Sequence, residues 1–159
     1  LHIGLTESGT IISGLVKSSL ALSRLLENGI GDTIRISLSS DPVNEVIAGR
    51  ALLKSLGLRK GLEIISCPTC ARTQIDVISI AQKLEKEFNW INTDLKIAVM
   101  GCVVNGPGEA KGADAGIAGG KGDAVFFVDG RIIKKVSFDD AYSELRKYIM
   151  DKVKGVVNG

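Results

Sequence analysis

The chain has 159 residues, of which 45% are hydrophobic and 24% charged, and a net charge of +2. That is enough apolar material for one ordinary domain or two small ones and too much for disorder, yet no apolar run is long enough to cross a bilayer. The basic clusters Arg59-Lys60 and Arg131 to Lys135 are short and lack interleaved aromatics, so they read as solvated faces and no nucleic-acid partner is expected.

In chain order, "LHIGLT" predicts a strand, "TIISGLVKSSLALSRLLENG" a helix, "DTIRISLS" a strand and "DPVNEVIAGRALLKSLG" a helix. Asn28-Gly29 and Gly57 mark helix ends, and Asp41 ahead of Pro42 marks a helix start. A βαβα run of this kind belongs to a helix-covered parallel sheet, and two strands are too few to complete one. A second unit follows the linker "LRKG": "LEIIS" predicts a strand, a helix is expected from the Cys-x-x-Cys to about Phe88, and "LKIAVMGCVV" predicts another strand. The segment "NGPGEAKGADAGIAGGKGD" reads as glycine-rich connection. "AVFFVDGRIIKKV" reads as a hairpin, because Asp129-Gly130 suits a type I′ turn. A last helix is expected from Ser137, with Ala141, Tyr142, Leu145, Ile149 and Val153 on its apolar side.

Three cysteines are a poor disulfide framework, and with no signal peptide in view a reducing cytoplasm is the expected compartment. The start inside a strand-like run also predicts a piece of a longer protein. Cys67 and Cys70 in "CPTC" admit a dithiol redox couple, half a zinc site or part of an iron-sulfur site. Cys102 shifts the balance. It ends a second strand, so if the two strands are parallel neighbours, all three thiols converge at one sheet edge and suggest a metal. Zinc wants a fourth Cys or His, and the only histidine, His2, is in the other unit. A 4Fe-4S cluster with three thiolates and a different fourth donor leaves one iron distinct, and Glu109 in "NGPGE" is the candidate donor. An exchangeable carboxylate favours chemistry at the iron over a pure electron-transfer module; the dithiol oxidoreductase stays open as the other alternative.

"CPTCARTQIDVI" and "VMGCVVNGPGEAKGADAGIAGGKG", together with "LHIGLTESG" and "GIGDTIRISLSSDPVNEV", closely resemble the 4-hydroxy-3-methylbut-2-enyl diphosphate synthase family, and the resemblance covers essentially the whole chain. It implies an α/β chain in which residues 1–60 are the terminal βαβα piece of a TIM barrel and residues 61–159 a 4Fe-4S domain like those of sulfite and nitrite reductases. It implies the reductive ring opening and dehydroxylation of 2-C-methyl-D-erythritol 2,4-cyclodiphosphate in the non-mevalonate isoprenoid pathway, with flavodoxin or ferredoxin as electron donor and a homodimer as the intact enzyme. The cluster ligands carried over by motif are Cys67, Cys70, Cys102 and Glu109. Asn105 is implied beside the open iron, and Arg35 and Ser37 at the substrate diphosphate. Glu7, at the end of a barrel strand, is placed for proton transfer. Lys17 reads as a solvated surface lysine. Lacking most of a barrel, the chain alone is expected to be inactive, and the bare apolar faces of its first unit are expected to be buried by association between chains or else to leave that first segment disordered.

Overall fold

The computed structural model describes residues 1–104, 110 and 112–157, and these divide into two compact units, Leu1–Arg59 and Lys60–Gly159.

In the first unit, β1 (His2–Gly4), α1 (Ile11–Glu27), β2 (Thr33–Arg35) and α2 (Pro42–Ser55) follow one another. The two strands pair in parallel, Ile3 opposite Ile34. Gly4 lies opposite Arg35, where a Cβ would come within 2.8 Å of the Arg35 carbonyl oxygen. Leu22, Ile36 and Leu52 form the core, with Ile3, Ile34 and Leu38 packed against it. The period of two in "IRISLS" is thus realised, with the isoleucines inward and Arg35 exposed, although the regular strand is shorter than "DTIRISLS" suggests. Both helices stop where the sequence changes to glycine: Gly29 and Gly57 take φ of +72° and +69°, which a side chain would resist. At the start of α2 the Asp41 carboxylate accepts the Val43 N–H at 2.9 Å, and Pro42 occupies the first turn.

The outer faces of this unit are apolar. On α1, Ile12, Val16 and Leu20 recur every four residues and are 80%, 56% and 63% exposed; Val43, Val46 and Ile47 are exposed on α2. That is the stripe of a helix expected to face neighbours.

The second unit holds β3 (Leu62–Ser66), α3 (Val77–Phe88), β4 (Leu95–Met100), β5 (Ala115–Gly119), β6 (Ala124–Val128), β7 (Arg131–Val136) and α4 (Ala141–Val157). The strands form one mixed sheet in chain order: β3, β4 and β5 run parallel, and β6 and β7 complete it antiparallel. Alternation along the strands divides the residues between two clusters. Ile97, Val99, Ile117 and Phe126 pack with Leu84 and Phe88 of α3 and with Leu145 and Ile149 of α4. Ala98, Met100, Ala118 and Phe127 face the other way, against Ala110 and Ala113. The hairpin turn has positive φ at both Asp129 (48°) and Gly130 (72°), as a type I′ turn requires.

Three sequence expectations are corrected. The helix after β3 does not open at the cysteines: it begins at Val77, where the Asp76 carboxylate accepts the Ser79 N–H at 3.0 Å, so residues 67–76 form a loop and neither Cys67 nor Cys70 is in the first turn of the helix. The glycine-rich segment is not all connection, because "AGIAG" is the fully buried central strand β5. Its composition follows from crowding. A Cβ on Gly116 would lie 2.3 Å from the Phe127 ring and 2.8 Å from the Ala98 carbonyl oxygen. The last helix also begins at Ala141, after a turn in which the Ser137 hydroxyl accepts the Asp140 N–H at 3.1 Å.

Candidate functional site

Residues with chemistry gather at the C-terminal ends of the strands in each unit. In the second unit β3 and β4 are parallel neighbours, Ser66 opposite Val99, which puts Cys67 and Cys102 just beyond the same edge. Cys67 continues the ladder through its N–H to the Val99 carbonyl at 3.4 Å, and its sulfur accepts the Gly101 N–H at 3.1 Å. Cys70 is exposed on the loop. Its N–H donates to the Thr73 hydroxyl and its carbonyl accepts the Thr73 N–H, both at 3.0 Å.

The loops behind β3, β4 and β5 are tied together by main chain. The Gln74 N–H donates to the Gly101 carbonyl at 2.8 Å, and the Val103 N–H to the Gly119 carbonyl at 2.8 Å. They approach so closely because side chains are missing between them: a Cβ on Gly119 would lie 2.5 Å from the Gly101 oxygen, and one on Gly101 would lie 2.9 Å from the Thr73 hydroxyl oxygen. Hydrogen bonds from the Arg72 backbone, then from its side chain, hold the Cys70 thiol below the ordinary thiol range.

All three cysteines are free thiols. Among the described residues no three His, Cys, Asp or Glu side chains surround one point as ligands of a single ion must. A cluster of several irons spreads its ligands more widely. Soft thiols, one receiving a backbone N–H and another biased toward thiolate, fit such a group. Asn105 and Glu109 lie outside the described residues.

In the first unit a cavity of about 430 Å³ opens beyond β1 and β2, and Glu7 and Ser37 both line it. Its two walls are joined: the Ser8 hydroxyl donates to the Ser37 carbonyl, and the Ser39 N–H to the Gly9 carbonyl at 2.9 Å. Arg35 does not line the cavity; its guanidinium donates to the hydroxyl of Thr6, a lining residue, at 2.6 Å. Lys17 is exposed on α1 and is not a lining residue. Sequence reasoning missed Glu45, which lines the cavity and accepts the Leu38 N–H at 2.8 Å. Its position in the first turn of α2 reads as a helix-dipole partner, and only the tertiary fold shows where it reaches.

The model of the GcpE TIM-barrel domain matches residues 1–50, and that of the GcpE protein C-terminal domain matches residues 63–151. Relatives named 4-hydroxy-3-methylbut-2-en-1-yl diphosphate synthase (flavodoxin) share 57% identity over 150 residues in Clostridium acetobutylicum and 55% over 149 in Caldicellulosiruptor saccharolyticus, each covering 94% of this chain and 43% of the relative. The relative of that name in Geobacter sulfurreducens is 51% identical over 157 residues, covering 96% of this chain and 44% of its own. The chain therefore spans less than half the length of these relatives. With two successive domains matched in order and more than half of the aligned residues identical, the chain belongs to the GcpE family.

Proposed function

We propose that this chain carries the cluster site and part of the substrate site of a 4-hydroxy-3-methylbut-2-en-1-yl diphosphate synthase, its second unit being an iron-sulfur domain of the kind found in sulfite and nitrite reductases. One observation carries the reading: three free thiols stand on loops at the C-terminal edge of one sheet, tied through Gly101 and Gly119, in a chain 57% identical to an enzyme of that name. Turnover is expected of a full-length synthase with these residues, working as a homodimer in the reducing cytoplasm, and not of the 159 residues alone.

The reaction opens 2-C-methyl-D-erythritol 2,4-cyclodiphosphate to 4-hydroxy-3-methylbut-2-enyl diphosphate. It takes up two electrons and two protons: a carbon bond to a diphosphate oxygen breaks, and one hydroxyl leaves as water. A 4Fe-4S cluster held here would supply electrons one at a time from a flavodoxin donor. Cys67, Cys70 and Cys102 hold it as thiolates, with Glu109 as the exchangeable fourth ligand. Asn105 hydrogen-bonds a substrate hydroxyl. Arg35, whose guanidinium is already oriented by Thr6, and Ser37 receive the diphosphate. Glu7, in the lining of the cavity, delivers a proton to the leaving hydroxyl. Glu45 secures the Leu38 backbone, so that Ser37 and Ser39 on either side of it keep their places in the cavity wall.

Anaerobic reconstitution with iron and sulfide, followed by metal analysis and Mössbauer spectroscopy, tests this. Four irons per chain, one of them distinct and altered by Glu109→Ala, support the reading, and Cys102→Ser should then abolish iron binding. A protein that binds no iron, and whose Cys67 and Cys70 cycle as a disulfide even in Cys102→Ser, would be a dithiol oxidoreductase instead.

A further inference from the structure

The three thiols are held in place by different means. Cys67 belongs to the strand ladder, and Cys102 lies between Gly101 and Val103, whose main-chain groups bond to the neighbouring loops. Cys70 has neither support. Both of its backbone hydrogen bonds go to one residue, Thr73, which accepts its N–H and donates to its carbonyl. Thr73 in turn rests on the bare α-carbon of Gly101: a Cβ there would meet its Oγ1 at 2.9 Å and its Cγ2 at 3.0 Å. Gly101 is itself the donor to the Cys67 sulfur and precedes Cys102 in the chain. A short path therefore runs from Cys70 through Thr73 and Gly101 to both other thiols.

We propose that Thr73 is a positioning residue for the cluster: its hydroxyl, seated on Gly101, fixes the Cys70 backbone relative to Cys67 and Cys102. The inference rests on the cluster reading above, but the latch itself is a property of the protein without metal. Its bonds join residues three apart on an exposed loop, so losing them should loosen the loop and leave the sheet and its core intact. Partners of this kind behind metal ligands typically change metal affinity by roughly 10-fold to 100-fold when removed.

Thr73→Val keeps the shape and removes the acceptor, whereas Thr73→Ser keeps the acceptor. In the metal-free protein, hydrogen exchange read by NMR should show the Cys70 amide exchanging roughly tenfold faster in Thr73→Val than in wild type or Thr73→Ser, at an unchanged melting temperature. After reconstitution, Thr73→Val should lose iron to EDTA roughly tenfold faster and show an altered EPR spectrum in the reduced state, with Thr73→Ser like wild type. Wild-type exchange and wild-type iron retention in Thr73→Val overturn the proposal, as does Thr73→Ser behaving like Thr73→Val. If exchange responds but wild type itself takes up no iron or sulfide, the latch stands as a backbone feature, its role toward a cluster is overturned, and the cluster reading falls with it.

Discussion

Glu7 and Gly116 illustrate what single residues decide in the two units. Glu7 lines the cavity together with Ser37, and on the role proposed above Glu7→Gln removes the proton donor without changing shape. In a full-length synthase it should lower kcat by roughly 100-fold or more while leaving KM nearly unchanged, which steady-state assay with reduced flavodoxin measures. Gly116 is fixed by packing: Gly116→Ala forces a methyl against the Phe127 ring and the Ala98 carbonyl in a fully buried strand. The expected cost is about 1–3 kcal/mol by urea denaturation, and a neutral result would show that Phe127 can move aside. Glu7 could be suspected from the sequence because it follows the run "LHIGLT" that predicts a strand, although the regular strand stops at Gly4 and leaves Glu7 on the loop beyond it. Gly116 could not, since a glycine in a glycine-rich run looks like a turn until its neighbours across the sheet are known.

At the scale of elements, α3 and α4 are joined through Glu87. Its carboxylate accepts from the Tyr142 hydroxyl and from Arg146 Nε at 2.7 Å. The Tyr142 hydrogen bond, with help from Arg146, keeps the Glu87 carboxyl below its ordinary range, while burial and then the same carboxylate raise the Tyr142 hydroxyl. A depressed folded-state value means that this stability is complete above the unfolded carboxyl value, near 4.3, and disappears as pH falls through the lower folded value. Glu87→Gln should therefore flatten the loss of stability in that acid window, as read from melting temperature against pH. The start of α3 tests the corrected helix boundary: Asp76→Ala should cost about 1 kcal/mol by removing the cap on the Ser79 N–H. Helix periodicity was legible in both cases. The ten-residue loop between Cys67 and Asp76 was not, because a Cys-x-x-Cys followed by an apolar repeat matches a helix start as well as it matches a loop ending in a capping aspartate.

For the whole chain, the outward stripe of Ile12, Val16 and Leu20 on α1 and the exposed Val43, Val46 and Ile47 on α2 form an apolar surface on a unit whose own core is small. Burial of such side chains is worth about 25 cal/mol per Å² of apolar area, so the 159-residue chain by itself is expected to associate. Sedimentation velocity should show oligomers that shift toward monomer in the double variant Val16→Lys, Leu20→Lys. A wild-type chain that stays monomeric at high concentration would contradict this. No helix among the described residues is long and apolar enough to cross a membrane, so the stripe is not a span.

The sequence by itself determined the order of the strands and helices other than β5, the type I′ hairpin, the apolar face of α4 and the three thiols, because these depend on periodicity, turn chemistry and residue type within a short window. The family, too, was legible in "CPTC", "GCVVNGPGE" and the segments around them. Only the tertiary structure decided that β3 and β4 are parallel neighbours with Cys67 and Cys102 at one edge, that "AGIAG" is the central strand, and that Glu45 reaches back to the Leu38 backbone. It also decided that Thr73 rests on Gly101. Most of these facts join residues distant in the chain, and around Gly101, Gly116 and Gly119 what permits them is the close approach of neighbouring groups at positions with no Cβ, which no local pattern records.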